Sequence, residues 1–391
     1  MVNGVVFQSK EINMNNNIAV VAGTGSYNDL GMIRSLGEAK IPVIYLTNGE
    51  HVIPIHKSKY IKETIICDFN EEEIVNSILN ITKKYNCNTV LFPTSDSAAL
   101  IFDERNKELQ DTCIAPHANG NLRKLMDKGV MAELAVKCGI NTPKSIRIQP
   151  YANEIIDYNN ISTPCIVKPL RSVFGEKADI TVCYSKEDLN SCLNSFAAKQ
   201  VEVLIQNYIE KPNLKEICIT GVSVADKGIF IAGQINKYRI IGNGSTCYGQ
   251  YTPEIDETLK EKVRKYISET EFSGIFDIEF LIDEEGQEYF IECNFRNGAY
   301  GYATTRGGFN LPSLFFNAMT TDNKVTVPNN LRSVVFMEER SDILNVKQKR
   351  ITFTQWLKDV RNTDVFLFSN RKDIGPMIRI PHFIKRIFKM K

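Results

Sequence analysis

The chain has 391 residues, 43% of them hydrophobic and 24% charged, with a formal net charge of +1; this is the profile of a globular protein with two or three packed cores and no global field that favours nucleic acid. Ten cysteines without CxxC pairs, mostly inside apolar runs, and four histidines without a ligand spacing argue against a disulfide framework or a zinc site and suit reduced core thiols in the cytoplasm. No apolar run approaches the ~20 residues of a spanning helix, and no apolar signal-type core opens the chain.

Residues 1–17 are polar and Asn-rich and read as a leader. Ile18–Ala22 is a short apolar run that predicts a buried strand, followed by the turn Gly23-Thr-Gly25 and a helix through Gly37. Ile41–Leu46 and Asn88–Pro93 read as further strands, with a helix over Glu71–Tyr85 between them. Strand and helix alternating in this way predict a Rossmann-like parallel sheet over residues 18–115. The dinucleotide fingerprint fails, because its third glycine would fall at Asn28 and Thr47-Asn48 stand where an acid should end the second strand. Pro93-Thr-Ser-Asp96 follows a strand in a comparable place and is expected to line the same cleft.

A new unit starts near Asn121. A helix is expected from Lys124 to Cys138, closed by Gly139 and Pro143, then strands at Pro164–Pro169 and Val201–Ile205. From Glu216 to Tyr302 strands alternate with turns around a helix near Ile255–Thr270. One more strand, Ser333–Glu338, and a helix around Phe353–Asp359 follow. From Arg379 to Lys391 there are five Lys/Arg and no acid, with Ile380, Phe383, Ile384, Ile387 and Phe388 at helical spacing. Such a stripe over 378–391 fits a helix on an anionic membrane surface or one packed on its own domain or a second subunit, as in a homodimer.

The strongest local signal is Phe276–Arg296, which reads as a β-hairpin turning at Glu284-Glu-Gly-Gln287. If Asp283 and Glu288 close the turn, Glu279 lies opposite Glu292 and Asp277 opposite Asn294. Period-2 alternation then gathers Asp277, Glu279, Glu292 and Asn294 on one face, and Ile278, Phe280, Ile282, Tyr289, Ile291 and Cys293 on the other. Like charges directly opposite are destabilising, so either this face is simply solvated or a cation compensates it. Mg²⁺, with Mn²⁺ as an alternative, suits carboxylate and amide oxygens. Arg296 extends the face with a cation for a phosphoryl or carboxylate group.

Glu279 with Glu292-x-Asn294-x-Arg296 resembles the metal-binding signature of the ATP-grasp superfamily. The resemblance implies a Rossmann-like pre-ATP-grasp domain followed by a two-lobed ATP-grasp fold over 116–330, with a small lobe at about 121–208, a large lobe at about 209–330 and an extension over 331–391. It implies ATP contacts from Lys128 and Lys168, an adenine hinge at Gln206, Asn207 and Ile209, and a ribose-binding carboxylate at Glu216. These features stand in family order over about 170 residues. One departure is the phosphate loop, Leu170-Arg-Ser-Val-Phe-Gly-Glu-Lys177, which has a single glycine, so that Arg171, Ser172 and Lys177 are expected to substitute for backbone contacts. Lys237 and Arg239 supply a second basic segment toward the γ-phosphate or acceptor.

Residues Asn294–Tyr302, Gly307–Pro312 and Phe336–Asp342 look like the carboxylate–amine ligase branch that includes D-aspartate ligases of cell-wall synthesis. The implied activity is ATP-dependent amide formation from small carboxylate and amine substrates, at the cytoplasmic side of a membrane if the terminal helix binds one. Activation of bicarbonate or another small acid, and a non-catalytic nucleotide-binding regulator, are the alternatives.

Overall fold

The computed structural model describes residues 17–49, 54–150, 161–170, 180–209, 214–241 and 245–379. Ser172, with the phosphate loop, and the terminal stretch 380–391 lie outside the described residues.

The first domain is built from β1 (Ile18–Gly23), α1 (Tyr27–Glu38), β2 (Val43–Thr47), β3 (Ile61–Ile66), α2 (Glu71–Tyr85), β4 (Thr89–Pro93), α3 (Asp96–Glu104), α4 (Asn106–Leu109) and β5 (Cys113–Ile114). Its strands are parallel in the order β3-β2-β1-β4-β5. The continuous apolar runs of β1, β2 and β4 are buried on both faces, as a sheet covered by helices requires. Helix α2 starts where the Asn70 side chain accepts from the Glu73 N–H and ends at Asn86, φ 47°, while Ile74, Val75, Ile78 and Ile81 turn to the sheet. The edge strand β3 has no buried residue, which is why no apolar pattern announced it.

The expected helix from Lys124 is two helices, α5 (Leu122–Leu125) and α6 (Lys128–Lys137). The break comes from Asp127, whose carboxylate accepts from the Gly129 and Val130 N–H groups and so caps a new helix that begins at Lys128. There follow β6 (Ser145–Ile148), β7 (Cys165–Pro169), β8 (Thr181–Cys183), α7 (Lys186–Ala198) and β9 (Val203–Asn207), whose strands form an antiparallel sheet in the order β6-β9-β7-β8. This small lobe has its own core, which includes Val167, Leu189, Phe196 and Ile205. Leu122, Met131 and Ala135 pack instead with Ile219, Phe280 and Phe290, so α5 and α6 share the apolar core of the large sheet.

The large lobe comprises β10 (Lys215–Val224), β11 (Gly228–Ile241), β12 (Ser245–Thr252), α8 (Glu257–Thr270), β13 (Gly274–Ile282), β14 (Glu288–Asn294), α9 (Gly301–Arg306) and α10 (Leu311–Thr320). The tail adds β15 (Val334–Met337), α11 (Glu339–Lys347), α12 (Phe353–Arg361) and β16 (Val365–Phe366). All seven strands form one sheet, β14-β13-β10-β11-β12-β15-β16. The tail is therefore an integral edge of the large lobe. A shared core joins Ile33 and Phe92 of the first domain to Val222, Phe315 and Phe368.

Candidate functional site

The acidic hairpin is β13 and β14, and its functional end has the expected register, with Asp277 opposite Asn294 and Glu279 opposite Glu292. The turn end differs. Ile282 pairs with Glu288, and a bulge at Ile291 absorbs the extra residue. That bulge corrects the expected faces: Phe290 enters the core beside Phe280, while Ile291 joins Leu281 on the cavity side.

A cavity of about 950 Å³ opens between the lobes and the first domain. Asp277, Glu279, Glu292, Asn294 and Arg296 line it from the hairpin, Lys128 and Lys168 from α6 and β7, Gln206, Asn207 and Ile209 from the end of β9, and Glu216 and Lys237 from β10 and β11. It stands at the upper end of the ~300–1,000 Å³ typical of ligand sites, enough for a nucleotide and a second reactant.

The charges in it are interlocked. Lys237 Nζ donates to Glu216 Oε1 at 2.5 Å and to Glu279 Oε2 at 2.6 Å. Burial alone would lower its ammonium, but Glu279 and Glu216 more than reverse that and hold it above the usual lysine range. So the cation that the opposed glutamates demand is supplied in part by the protein itself, which sequence reasoning had left to a metal. Lys128 Nζ stands 4.0 Å from Glu292 Oε2. Lys168, 5% exposed, donates to Gln206 Oε1 at 2.9 Å, and burial together with the Lys128 charge lowers it to about 8. Asp277 is 1% exposed; burial raises it to about 7, against the opposing pull of the Thr220 hydroxyl and the Arg296 charge. A methyl group on Gly298 would fall 1.9 Å from Asp277 Oδ2, so glycine is what lets the backbone lie against that carboxylate.

Arg296 lies beside Asn294, with Nη2 3.4 Å from Asn294 Oδ1. Its Nε donates to Asp96 Oδ1 at 2.5 Å, which ties the hairpin to the loop after β4. Asn28 Nδ2 donates to the Thr94 and Asn297 carbonyls, and Asn297 Nδ2 donates back to Asn28 Oδ1. Asn28, read in the sequence only as a missing glycine, is thus the bridge that joins the two loops. The Gly23-Thr-Gly25 turn itself is closed by Asp29, which accepts from the Gly25 and Ser26 N–H groups and from Tyr45 and Thr94 hydroxyls. Those amides are committed to an internal carboxylate, which agrees with the failed dinucleotide fingerprint.

Arg239 is not among the residues that line the cavity: it holds Asp342 at 2.7 Å and Asp359 at 2.6 Å and lies over the Tyr248 ring. The ladder between β11 and β12 shifts register between Lys237 and Arg239. At the hinge, the Asn207 and Tyr208 N–H groups donate to the Lys144 and Pro164 carbonyls.

A family model, the RimK-like ATP-grasp domain, matches residues 126–233. No curated protein sequence matches the chain. Among solved structures it is similar to N5-carboxyaminoimidazole synthetase from Staphylococcus aureus complexed with ADP (20% identity, 89% of each chain, TM-score 0.64). It is similar to L-amino acid ligase from Bacillus licheniformis (13% identity, 82% of this chain and 79% of that one, TM-score 0.60). It also resembles the biotin carboxylase domain of Hydrogenobacter thermophilus 2-oxoglutarate carboxylase with MgADP, ADP and bicarbonate (19% identity, 81% and 73%, TM-score 0.63). At these identities the likeness speaks for the fold. Because the matched domain spans the break at Lys128, the small lobe and the first strands of the large one, the chain carries an ATP-grasp fold, entered through a parallel-sheet first domain.

Proposed function

We propose that the protein is an ATP-dependent carboxylate–amine ligase, and the observation that supports this most is the convergence of Lys128, Lys168, Glu279, Glu292, Asn294 and Arg296 on one cavity. Among the described residues the lining carries four cations, Lys128, Lys168, Lys237 and Arg296, against five carboxylates, Asp96, Glu216, Asp277, Glu279 and Glu292. A nucleoside triphosphate adds further negative charge to a lining that is already formally acidic. Divalent cations are what such a pairing needs.

The hard oxygens of Glu279, Glu292 and Asn294 fit Mg²⁺, and Mn²⁺ by the same chemistry. No set of three or more His, Cys, Asp or Glu side chains among the described residues is itself a metal cage, which agrees with a site completed by phosphate oxygens. A metal held by Glu279, Glu292 and Asn294 would supply positive charge against the phosphates. Lys128, from α6, and Lys168, from the small lobe, share that charge, and Glu216, bonded to Lys237, receives the ribose hydroxyls. A substrate carboxylate oxygen attacks the γ-phosphorus while the bond to ADP breaks; an amine then attacks the acyl carbon, loses a proton and expels phosphate. Arg296 holds the carboxylate and steadies the acyl phosphate. Catalysis rests on position and charge. Addition of an amino acid such as D-aspartate to a cell-wall or polymer precursor is the specific form of this reaction that the subfamily resemblance supports.

The test is an ADP-release screen of amino acids and small acids, singly and in pairs. Glu292→Gln and Lys168→Ala should each lose roughly 10²–10³-fold in turnover, the usual effect of removing one electrostatic stabiliser. Release at the wild-type rate by either variant would remove the site assignment.

A further inference from the structure

The first domain contributes Ser26, Tyr27, Asn28, Thr94 and Asp96 to the cavity, and among these only Asp96 carries a charge. It is the first residue of α3 and pairs with Arg296 across the domain boundary, both side chains remaining about a quarter open, at 24% and 22%. Among the described residues neither group is saturated: Arg296 uses three of the five N–H donors of a guanidinium, one each on Asp96, the Asn297 carbonyl and Asn294. Asp96 accepts only through Oδ1, and among the described residues no donor reaches its Oδ2. The surroundings on the first-domain side are neutral hydroxyl and amide groups.

An adjacent cation and anion, each with capacity left over, complement a ligand that carries a carboxylate and an ammonium close together. A ligand that is only an anion gains from Arg296 but meets the Asp96 carboxylate beside it, and that repulsion selects against it. We infer that Asp96 is a specificity residue of the ligase proposed above, which it presupposes: it receives the ammonium of an α-amino acid whose carboxylate lies on Arg296, and so excludes bicarbonate and simple acids. Removing the hydrogen-bonding partner of a substrate group costs such a site far more than a change of size.

Calorimetric titration of the full-length protein in saturating MgADP tests this, with matched pairs as probes: alanine and propionate, aspartate and succinate, phenylalanine and 3-phenylpropionate. At least one amino acid should bind more than tenfold tighter than its des-amino counterpart. Asp96→Asn should reduce that ratio to below about threefold with MgADP affinity unchanged, and Asp96→Glu should restore part of it. Equal binding of the pair by the wild type, a ratio unchanged in Asp96→Asn, or no binding of any amino acid each overturns the inference. Those failures leave MgADP binding intact, whereas a wild-type protein that does not bind MgADP fails at the ligase reading itself. The wild-type ratio needs no variant, so it decides the matter even if Asp96→Asn weakens the domain contact.

Discussion

Lys168 is an ammonium with 5% of its surface exposed, an amide oxygen as its hydrogen-bond partner and a second lysine near by. Burial, then Lys128, bring it from 10.5 to about 8. The folded value is below the unfolded one, so between about pH 8 and 10.5 the unfolded chain binds the extra proton and the lysine's penalty on stability shrinks as pH rises. At pH 7 the charged group is a net cost to the fold. An arriving phosphate reverses the environment and raises the lysine again. Two outcomes follow for Lys168→Met: a higher thermal midpoint than wild type at pH 7, and loss of the proton uptake that should accompany MgADP binding near pH 9 but not near pH 7. Calorimetry in buffers of different ionisation enthalpy reads that uptake, and uptake at pH 9 that persists in the variant would sink the assignment. The sequence already hinted at this, since a lysine at the end of a buried strand needs an anionic partner. Its neighbour Lys128 was singled out by the family resemblance, but the helix start there was not, because the carboxylate cap of Asp127 that begins α6 is a matter of backbone geometry.

At the scale of elements, what was legible followed period and what was not followed single-residue irregularities. The alternation of β13 and β14 assigned Asp277, Glu279, Glu292 and Asn294 to one face, and the ladder pairs them so. The bulge at Ile291 changes which residues of its strand face the core, and the ladder shifts register on both sides of Arg239; nothing in hydropathy marks where such irregularities fall. The second irregularity has a consequence for the site. Arg239 is drawn to Asp342 on α11 and Asp359 on α12, away from the cavity, while Lys237 on the other side of the shift stays seated between Glu216 and Glu279. Arg239→Lys keeps the charge but not the planar fork that holds two carboxylates. Its expected effect is a loss of MgADP affinity of about 0.5–2 kcal/mol at temperatures where the variant is fully folded. Wild-type affinity in a folded Arg239→Lys protein would show that the tail network stabilises without positioning Lys237.

At the scale of the whole molecule, a buried contact links the two ends of the described chain. Arg34 on α1 donates to Asp373 Oδ2 at 2.9 Å with neither side chain exposed, and also to the Leu367 and Phe368 carbonyls. Asp373 accepts further from the Ser58 hydroxyl and the Lys59 N–H. A separation of 339 residues has no signature in local pattern, so this contact of the tail with the first domain was not legible in the sequence. The contact matters for the site because Thr94, Asp96 and Asn28 must meet Asn297 and Arg296 across the same boundary. Removing one partner of a buried pair leaves the other charged and unsatisfied, typically at a cost of about 3–5 kcal/mol. Arg34→Met should therefore lower the urea midpoint strongly. Arg34→Met with Asp373→Asn should recover part of the loss, because the amide removes the stranded charge while still accepting from Ser58 or Lys59. If the double variant loses the sum of the two single losses, the pair is uncoupled, and the join of the first domain to the lobes rests on the shared apolar core of Ile33, Phe315 and Phe368 and on the contacts of Asn28 and Asp96.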